Sequence, residues 1–295
     1  MNIIRYGGPM ARTRKVGSPI GYSGSAGLTG FVSVWATTTN GESITIPTQA
    51  GTFNADVDWG DGSAVENITS STGFVHTYAT AGDYTISITG TFPNIYINNN
   101  AAIKLKIKKV LNLGTVGWTK LERAFKGCSN LTEFTAGSTN TSAVDSLNGT
   151  FQNCTSLASL NVSSFDTSLV TDMYALLYGA ALTSLDVSSF NTSNVTDMQY
   201  MFGACSALTS IVGVEDWDIT GLNSTGDLTA FLTGGKMTTA QYDNLLVKWQ
   251  AQDPFNGMTP SFGASKYTGG GAAATAHQDL IDIDGWSISD GGIAP

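Results

Sequence analysis

The segment "LTSLDV", Leu182 to Val187, places apolar residues at its first, fourth and sixth positions, the pattern of a short strand. "SSFNTSN" follows as a polar turn around Phe190, and then "VTDMQYMFGAC" sets Val195, Met198, Met201, Phe202 and Cys205 at helical spacing. Asn194 or Thr196 is placed to cap that helical segment. The stretch before it, "LASLNVSSFDTSLVTDMYALLYGAA", repeats the same order from Leu157 to Ala181. The columns run through several units. Leu131, Leu157, Leu182 and Leu208 correspond, as do Phe134, Leu160, Leu185 and Ile211. So do Trp118, Val144, Val170 and Val195; Leu121, Leu147, Met173 and Met198; Phe125, Phe151, Leu177 and Phe202; and Cys128, Cys154, Ala180 and Cys205. One such unit cannot bury its own apolar side, whereas stacked units share a continuous core. Parallel strands in adjacent rows are therefore expected from Lys104 to Gly235.

Before the repeats the pattern changes. "FVSVWAT" and "SITIP" alternate, and Asp61-Gly62 stands between extended runs as a tight-turn signal. After the repeats, "MTTAQYDNLLVKWQAQ" sets Tyr242, Leu245, Leu246 and Trp249 at helical spacing behind a threonine cap. A second helix is expected over "AAATAHQDLI", then a strand at "GWSISDGG". The first thirty residues are rich in Gly and Ser and have no periodicity.

The repeated units resemble the leucine-rich repeats of BspA-like bacterial surface proteins. That resemblance implies a curved solenoid with one strand and one short helical segment per unit, used for adhesion and surface recognition. Trp59, Gly60, Asp61, Gly62, His76, Tyr78, Gly82 and Tyr84, in "WGDGS" and "HTYATAGDYTISI", resemble the PKD-type module, an immunoglobulin-like β-sandwich. The expected class is a β-rich α+β chain: an extended attachment arm (1–30), a PKD-like β-sandwich (31–100), a leucine-rich-repeat solenoid (101–235) and a C-terminal cap (236–295).

Charge narrows the partners. The chain has 295 residues, a net charge of −9 and 13% charged residues, and no Lys, Arg or His lies between Ser129 and Gly235. Such a surface repels phosphates, so nucleic acid is not an expected partner. No apolar run is long enough to insert in a bilayer, and "MNIIRYGGPMARTRKVGSPIGYSGSAG" has no apolar core of signal-peptide type. The expectation is a chain kept in the cytosol until assembly or lysis, unless its signal lies outside this sequence.

Candidate chemistry is sparse. Cys128, Cys154 and Cys205 share a register that Ala180 also fills, which points to buried structural thiols and not to a metal site. His76 and His277 stand in no zinc, triad or haem spacing. Asp56, Asp58 and Asp61 offer oxygen ligands for calcium, but their spacing does not match an EF-hand loop, and the question stays open. No cofactor or metal is expected. "IKLKIKK" puts Lys104, Lys106 and Lys108 on one strand face, as a contact patch or as a solvated edge that blocks strand pairing. Partner attachment is assigned to those lysines and to Arg5, Arg12, Arg14 and Lys15 in the arm. The polar strand positions Ser159, Asn161, Ser184 and Asp186 form the candidate ligand face.

No paired carboxylates support glycan cleavage, so a non-enzymatic role is expected. The functional expectation is a bacteriophage virion structural and adhesion protein on the virion surface. Its arm would attach to other capsid or tail proteins, in a homo-oligomeric assembly, and its repeats would contact a host receptor or glycan. The alternative is an adhesin on the bacterial cell surface.

Overall fold

A computed structural model describes residues 29–295 of the chain. The arm's Arg5, Arg12, Arg14 and Lys15 lie outside the described residues.

Eleven short strands precede two helices. They are β1 (Phe31–Thr37), β2 (Glu42–Thr45), β3 (Asn54–Asp58), β4 (Glu66–Ile68), β5 (Val75–Tyr78), β6 (Gly82–Thr91), β7 (Ile107–Asn112), β8 (Glu133–Thr135), β9 (Ser159–Asn161), β10 (Ser184–Asp186) and β11 (Ser210–Val212). The helices α1 (Thr239–Gln250) and α2 (Gly271–Asp282) close the chain. Among the described residues no helix is long and apolar enough to cross a membrane.

The strand order corrects the expected class of a sandwich followed by a solenoid. Seven strands form one mixed sheet, β4-β3-β6-β1-β7-β8-β9. Its first half is antiparallel, and β7, β8 and β9 pair in parallel. The sheet therefore continues from the N-terminal strands into the repeats, and only the two-stranded ribbon β2-β5 stands apart from it in that region. β1 is flanked by β6 and β7, and all but one of its residues are buried. β10 and β11 form a separate parallel pair.

The ladder stops between β9 and β10 for a local reason. The turn before each repeat strand returns a backbone hydrogen bond: Leu131, Leu157 and Leu208 donate to the carbonyls of Cys128, Cys154 and Cys205 at 3.1, 3.0 and 2.9 Å. Only Ala181 separates Ala180 from Leu182, one residue fewer than separates Cys154 from Leu157. The corresponding bond at Leu182 is missing, as are the ladder bonds that would join β9 to β10.

The expected helical segment of each unit is also corrected. Residues 198–205 form successive turns and no α-helix. Alternate N–H groups leave the unit: Met198, Tyr200, Phe202 and Ala204 donate to the carbonyls of Asp227, Thr229, Phe231 and Thr233. The residues between them close local turns, with Met201, Gly203 and Cys205 donating to Met198, Tyr200 and Phe202. A helix would keep all of these donors within the segment. Left-handed backbone at Tyr200 (φ 57°) and Ala204 (φ 57°) makes the alternation possible.

The columns that define the repeat line the core. Leu131, Leu157, Leu182 and Leu208 are all buried, as are Val144, Val170 and Val195. Cys128, Cys154 and Cys205 are free and buried. The Cys154 thiol donates to the Phe125 carbonyl at 3.2 Å, and burial pushes its pKa up to about 12.

At the C-terminus α1 forms as its spacing predicts. Thr238 accepts from the Gln241 N–H in a capping box, and Tyr242, Leu245, Leu246 and Trp249 are buried. α2 follows over the expected residues. "GWSISDGG" forms no strand and makes one parallel bridge, Ser261 to Ser289, because Trp286 turns into the core and Asp290 is held by other side chains.

Candidate functional site

The proposed ligand face lies where the ladder breaks. Ser159, Leu160, Ser184, Leu185, Asp186 and Val212 line an open groove of about 280 Å³. Ser159, Asn161, Ser184 and Asp186 are all exposed, so the structure brings the row to the surface. Two of its members are already engaged. Asn161 accepts from the N–H and hydroxyl of Ser163 at 3.1 and 2.8 Å, and Asp186 accepts from those of Ser188 at 3.0 and 2.6 Å. The Ser188 hydroxyl and amide hold the Asp186 pKa below the usual carboxylate value. Beneath the groove an apolar void of about 10 Å³, walled by Phe151, Leu176, Val187 and Phe190, is no larger than one water molecule needs.

The lysines do not share a strand face, because β7 begins at Ile107 and Lys104 and Lys106 precede it. Nor is β7 an edge, since β1 and β8 flank it. Lys104 Nζ donates to Asn99 Oδ1 at 2.8 Å, Lys106 Nζ lies 2.6 Å from Glu42 Oε1, and Lys108 Nζ lies 2.9 Å from Asp83 Oδ1. Lys106, Lys108, Glu42 and Asp83, with Ala101, Ala102 and Leu105, line a cleft of about 480 Å³. Hydrogen bonding from Lys106, with the Thr38 and Thr39 amides, lowers the Glu42 pKa to about 2.

The two histidines each meet a carboxylate. His76 Nε2 is 2.8 Å from Asp61 Oδ2, and His277 Nε2 is 3.1 Å from Asp290 Oδ2. The Ser63 hydroxyl donates to Asp61 Oδ1 at 2.6 Å and not to His76, so the three do not have the order of a nucleophile, base and orienting acid. Asp56 accepts from Asn67, Asp58 from the Gly60 N–H, and Asp61 from Ser63. Among the described residues no group of three or more His, Cys, Asp or Glu is arranged to hold a metal ion.

One surface was not anticipated. Tyr174, Tyr178 and Tyr200 are half-buried and meet edge to face, Tyr200 lying 5.6 Å from Tyr174 and 6.2 Å from Tyr178 between ring centres. Repeat register sets Tyr174 in a row with Asn148 and Gln199, and Tyr178 in a row with Gln152 and Gly203. Backbone bonds from Gly149 to the Tyr174 carbonyl and from Ala175 to the Gln199 carbonyl hold these units together. Tyr200 occupies left-handed backbone where the preceding units have Ala175 (φ 50°), Gly149 (φ 58°) and Arg123 (φ 51°). A bulky side chain there costs about 1–2 kcal/mol relative to the right-handed region. The signal was visible in the sequence as aromatics at Tyr174 and Tyr178, where the next unit has Gln199 and Gly203.

Asp172 and Asp197 lie beside this cluster and form a parallel bridge. Asp172 accepts from the Tyr174 N–H at 2.8 Å and from Asn148 Nδ2 at 3.0 Å, which occupies both of its oxygens. Burial raises the Asp197 pKa, with the charges of Asp172 and Asp227 adding to it.

No curated protein and no solved structure matches the chain. Residues 119–242, inside and just beyond the stretch whose units resemble BspA-like repeats, match the family model described as Mycoplasma protein of unknown function, DUF285.

Proposed function

We propose that this chain is a non-enzymatic surface-recognition protein: a bacteriophage virion component, attached to capsid or tail through its N-terminal arm, whose BspA-like repeats contact a host surface or neighbouring subunits. The observation that supports this best is that two successive units expose polar side chains at the same two strand positions. Ser159 and Asn161 on β9 correspond to Ser184 and Asp186 on β10 over one apolar core, with the second position changing from amide to carboxylate and the two strands unpaired. A repeated polar face suits weak contacts made many times, where several copies on one particle raise avidity without new contacts. Lys106 and Lys108, which line the cleft at the end of β1, and Lys104 beside them add a second attachment surface, although each is now held by a partner within the chain.

A second reading, an adhesin on a bacterial cell surface, draws its support from the family description, which names a cellular organism. One experiment separates the two. Antibody raised to the chain is applied to purified phage particles and to intact bacteria. Labelling of particles supports the virion reading, labelling of uninfected cells supports the adhesin, and labelling of neither removes both. Turnover of host polysaccharide by the purified chain would overturn the non-enzymatic assignment.

A further inference from the structure

We propose that Tyr174, Tyr178 and Tyr200 form a binding platform for a neutral carbohydrate; this rests on the surface-recognition reading above and gives it a ligand class. The rings are partly exposed, and among the described residues none of their hydroxyls has a hydrogen-bond partner. The side-chain amides of Gln152 and Gln199, in the adjoining register rows, are likewise without a partner among the described residues. A phenol combines an apolar face with a polar tip, and carboxamides supply both donors and acceptors. A pyranose needs this combination: a C–H face that lies on an aromatic ring, and a rim of hydroxyls that bond to neutral donors and acceptors.

Charge selects the class further. The units that carry the three rings hold no Lys, Arg or His to pair a sulfate, phosphate or carboxylate on a ligand; the nearest bases in register are Lys126, two units before Tyr178, and Arg123, three before Tyr200. A cationic peptide is the competing ligand, since Asp172 keeps its charge while each of its oxygens accepts one bond within the chain, and the oligolysine probe below tests it. The geometry of the platform is also costly to keep. Tyr200 holds the central ring on left-handed backbone, and Gly203 leaves room for the ring of Tyr178, since a Cβ there would fall 3.0 Å from Tyr178 Cδ2.

The test is saturation-transfer NMR and calorimetry on the full chain. The probes are neutral oligosaccharides of glucose, galactose and N-acetylglucosamine, a sialylated oligosaccharide, and an oligolysine peptide. The expected result is transfer to the C–H protons of at least one neutral probe, with affinity falling about tenfold in Tyr174→Ala and in Tyr200→Gly. Tyr200→Gly removes the ring at a position where glycine is the favoured residue, so its fold is secure, and a thermal melt verifies it. Val65→Ala, an exposed position outside the repeats, leaves the affinity unchanged. Binding of the oligolysine or sialylated probe alone, no binding by any probe, or neutral binding insensitive to both tyrosine substitutions overturns the proposal. Adsorption of the purified native and Tyr200→Gly chains to intact bacterial cells is scored separately. If the Tyr200→Gly chain still adsorbs while no neutral probe binds, the platform falls and the surface-recognition reading stands.

Discussion

Asp61 Oδ2 lies 2.8 Å from His76 Nε2, and the His76 ring stacks on Trp59 with 5.1 Å between centroids. The pair ties the turn after β3 to β5. Burial opposes ionisation of Asp61, but hydrogen bonds from Ser63 and His76 outweigh it and hold the pKa at about 2 against an ordinary 3.8. A carboxylate depressed in the folded state contributes stability that is complete above the ordinary value and disappears as the pH falls to the folded one. Between about pH 4 and pH 2 the melting temperature of the native chain should therefore fall more steeply than that of Asp61→Asn. At pH 7 Asp61→Asn should melt lower. Parallel melting curves for the two chains would contradict this.

The three thiols should be chemically silent in the folded state. Cys128, Cys154 and Cys205 are buried, and burial raises all three pKa values, that of Cys205 to about 11. Thiolate is the reactive form. Intact-mass analysis after iodoacetamide at pH 8 should show no adduct on the native chain and three on the denatured one. Rapid native labelling of any one thiol would mean that the column opens.

Asn112 should be one of the most sensitive polar positions. Fully buried, it donates to the Gly30 carbonyl at 2.8 Å and accepts from the Ser138 N–H at 3.0 Å, linking β7 to the start of β1 and to the next repeat. Asn112→Ala leaves both backbone groups without that partner, at a cost of about 2–4 kcal/mol. Urea denaturation should show the midpoint falling with little change in slope. A cost under about 0.5 kcal/mol would mean that water replaces the amide.

Ala204 offers the opposite test. It is exposed, has φ 57°, and shares its register with Gly127 and Gly179, which are also left-handed. Ala204→Gly relieves the backbone strain but adds freedom to the unfolded chain, and the net gain should be about 0.5–1 kcal/mol. Loss of stability in the same urea titration would show that the methyl group packs against something important.

The Tyr242 hydroxyl donates to Asp290 Oδ2 at 2.7 Å, and His277 meets the same oxygen. Tyr242→Phe removes the one donor that comes from α1 and should cost about 1.5–3 kcal/mol, as for a hydrogen bond to a charged group. Hydrogen exchange should quicken first at residues 285–294 if this contact holds the chain end in place. Exchange that quickens only in the repeats would locate the effect elsewhere.

The apolar columns were legible in the sequence because burial is decided by side chains. Leu131, Leu157, Leu182 and Leu208 lie where the spacing puts them, and so do the four buried residues of α1. Spacing could not tell the turns of residues 198–205 from a helix, since both bury positions three and four apart. The distinction lies in left-handed backbone at Tyr200 and Ala204, residue types that carry no such signature. The sandwich-then-solenoid expectation failed because pairing between β1 and β7 is a long-range choice that no local pattern announces. The broken ladder was readable in hindsight: the step from Leu157 to Leu182 is one residue short, and the shortage falls in the turn before β10.

The alternation of backbone donors has a consequence for how this chain can vary. Each unit from Leu147 to Ala204 hands every second N–H to its successor at the same set of positions. Duplicating or deleting a whole unit in the gene leaves every remaining donor with an acceptor, whereas a fractional insertion strands a row of them inside the core. Whole-unit changes are thus the ones that this bonding pattern accommodates. Each gain or loss would alter the reach of the displayed surface by about one strand spacing, ~4.8 Å.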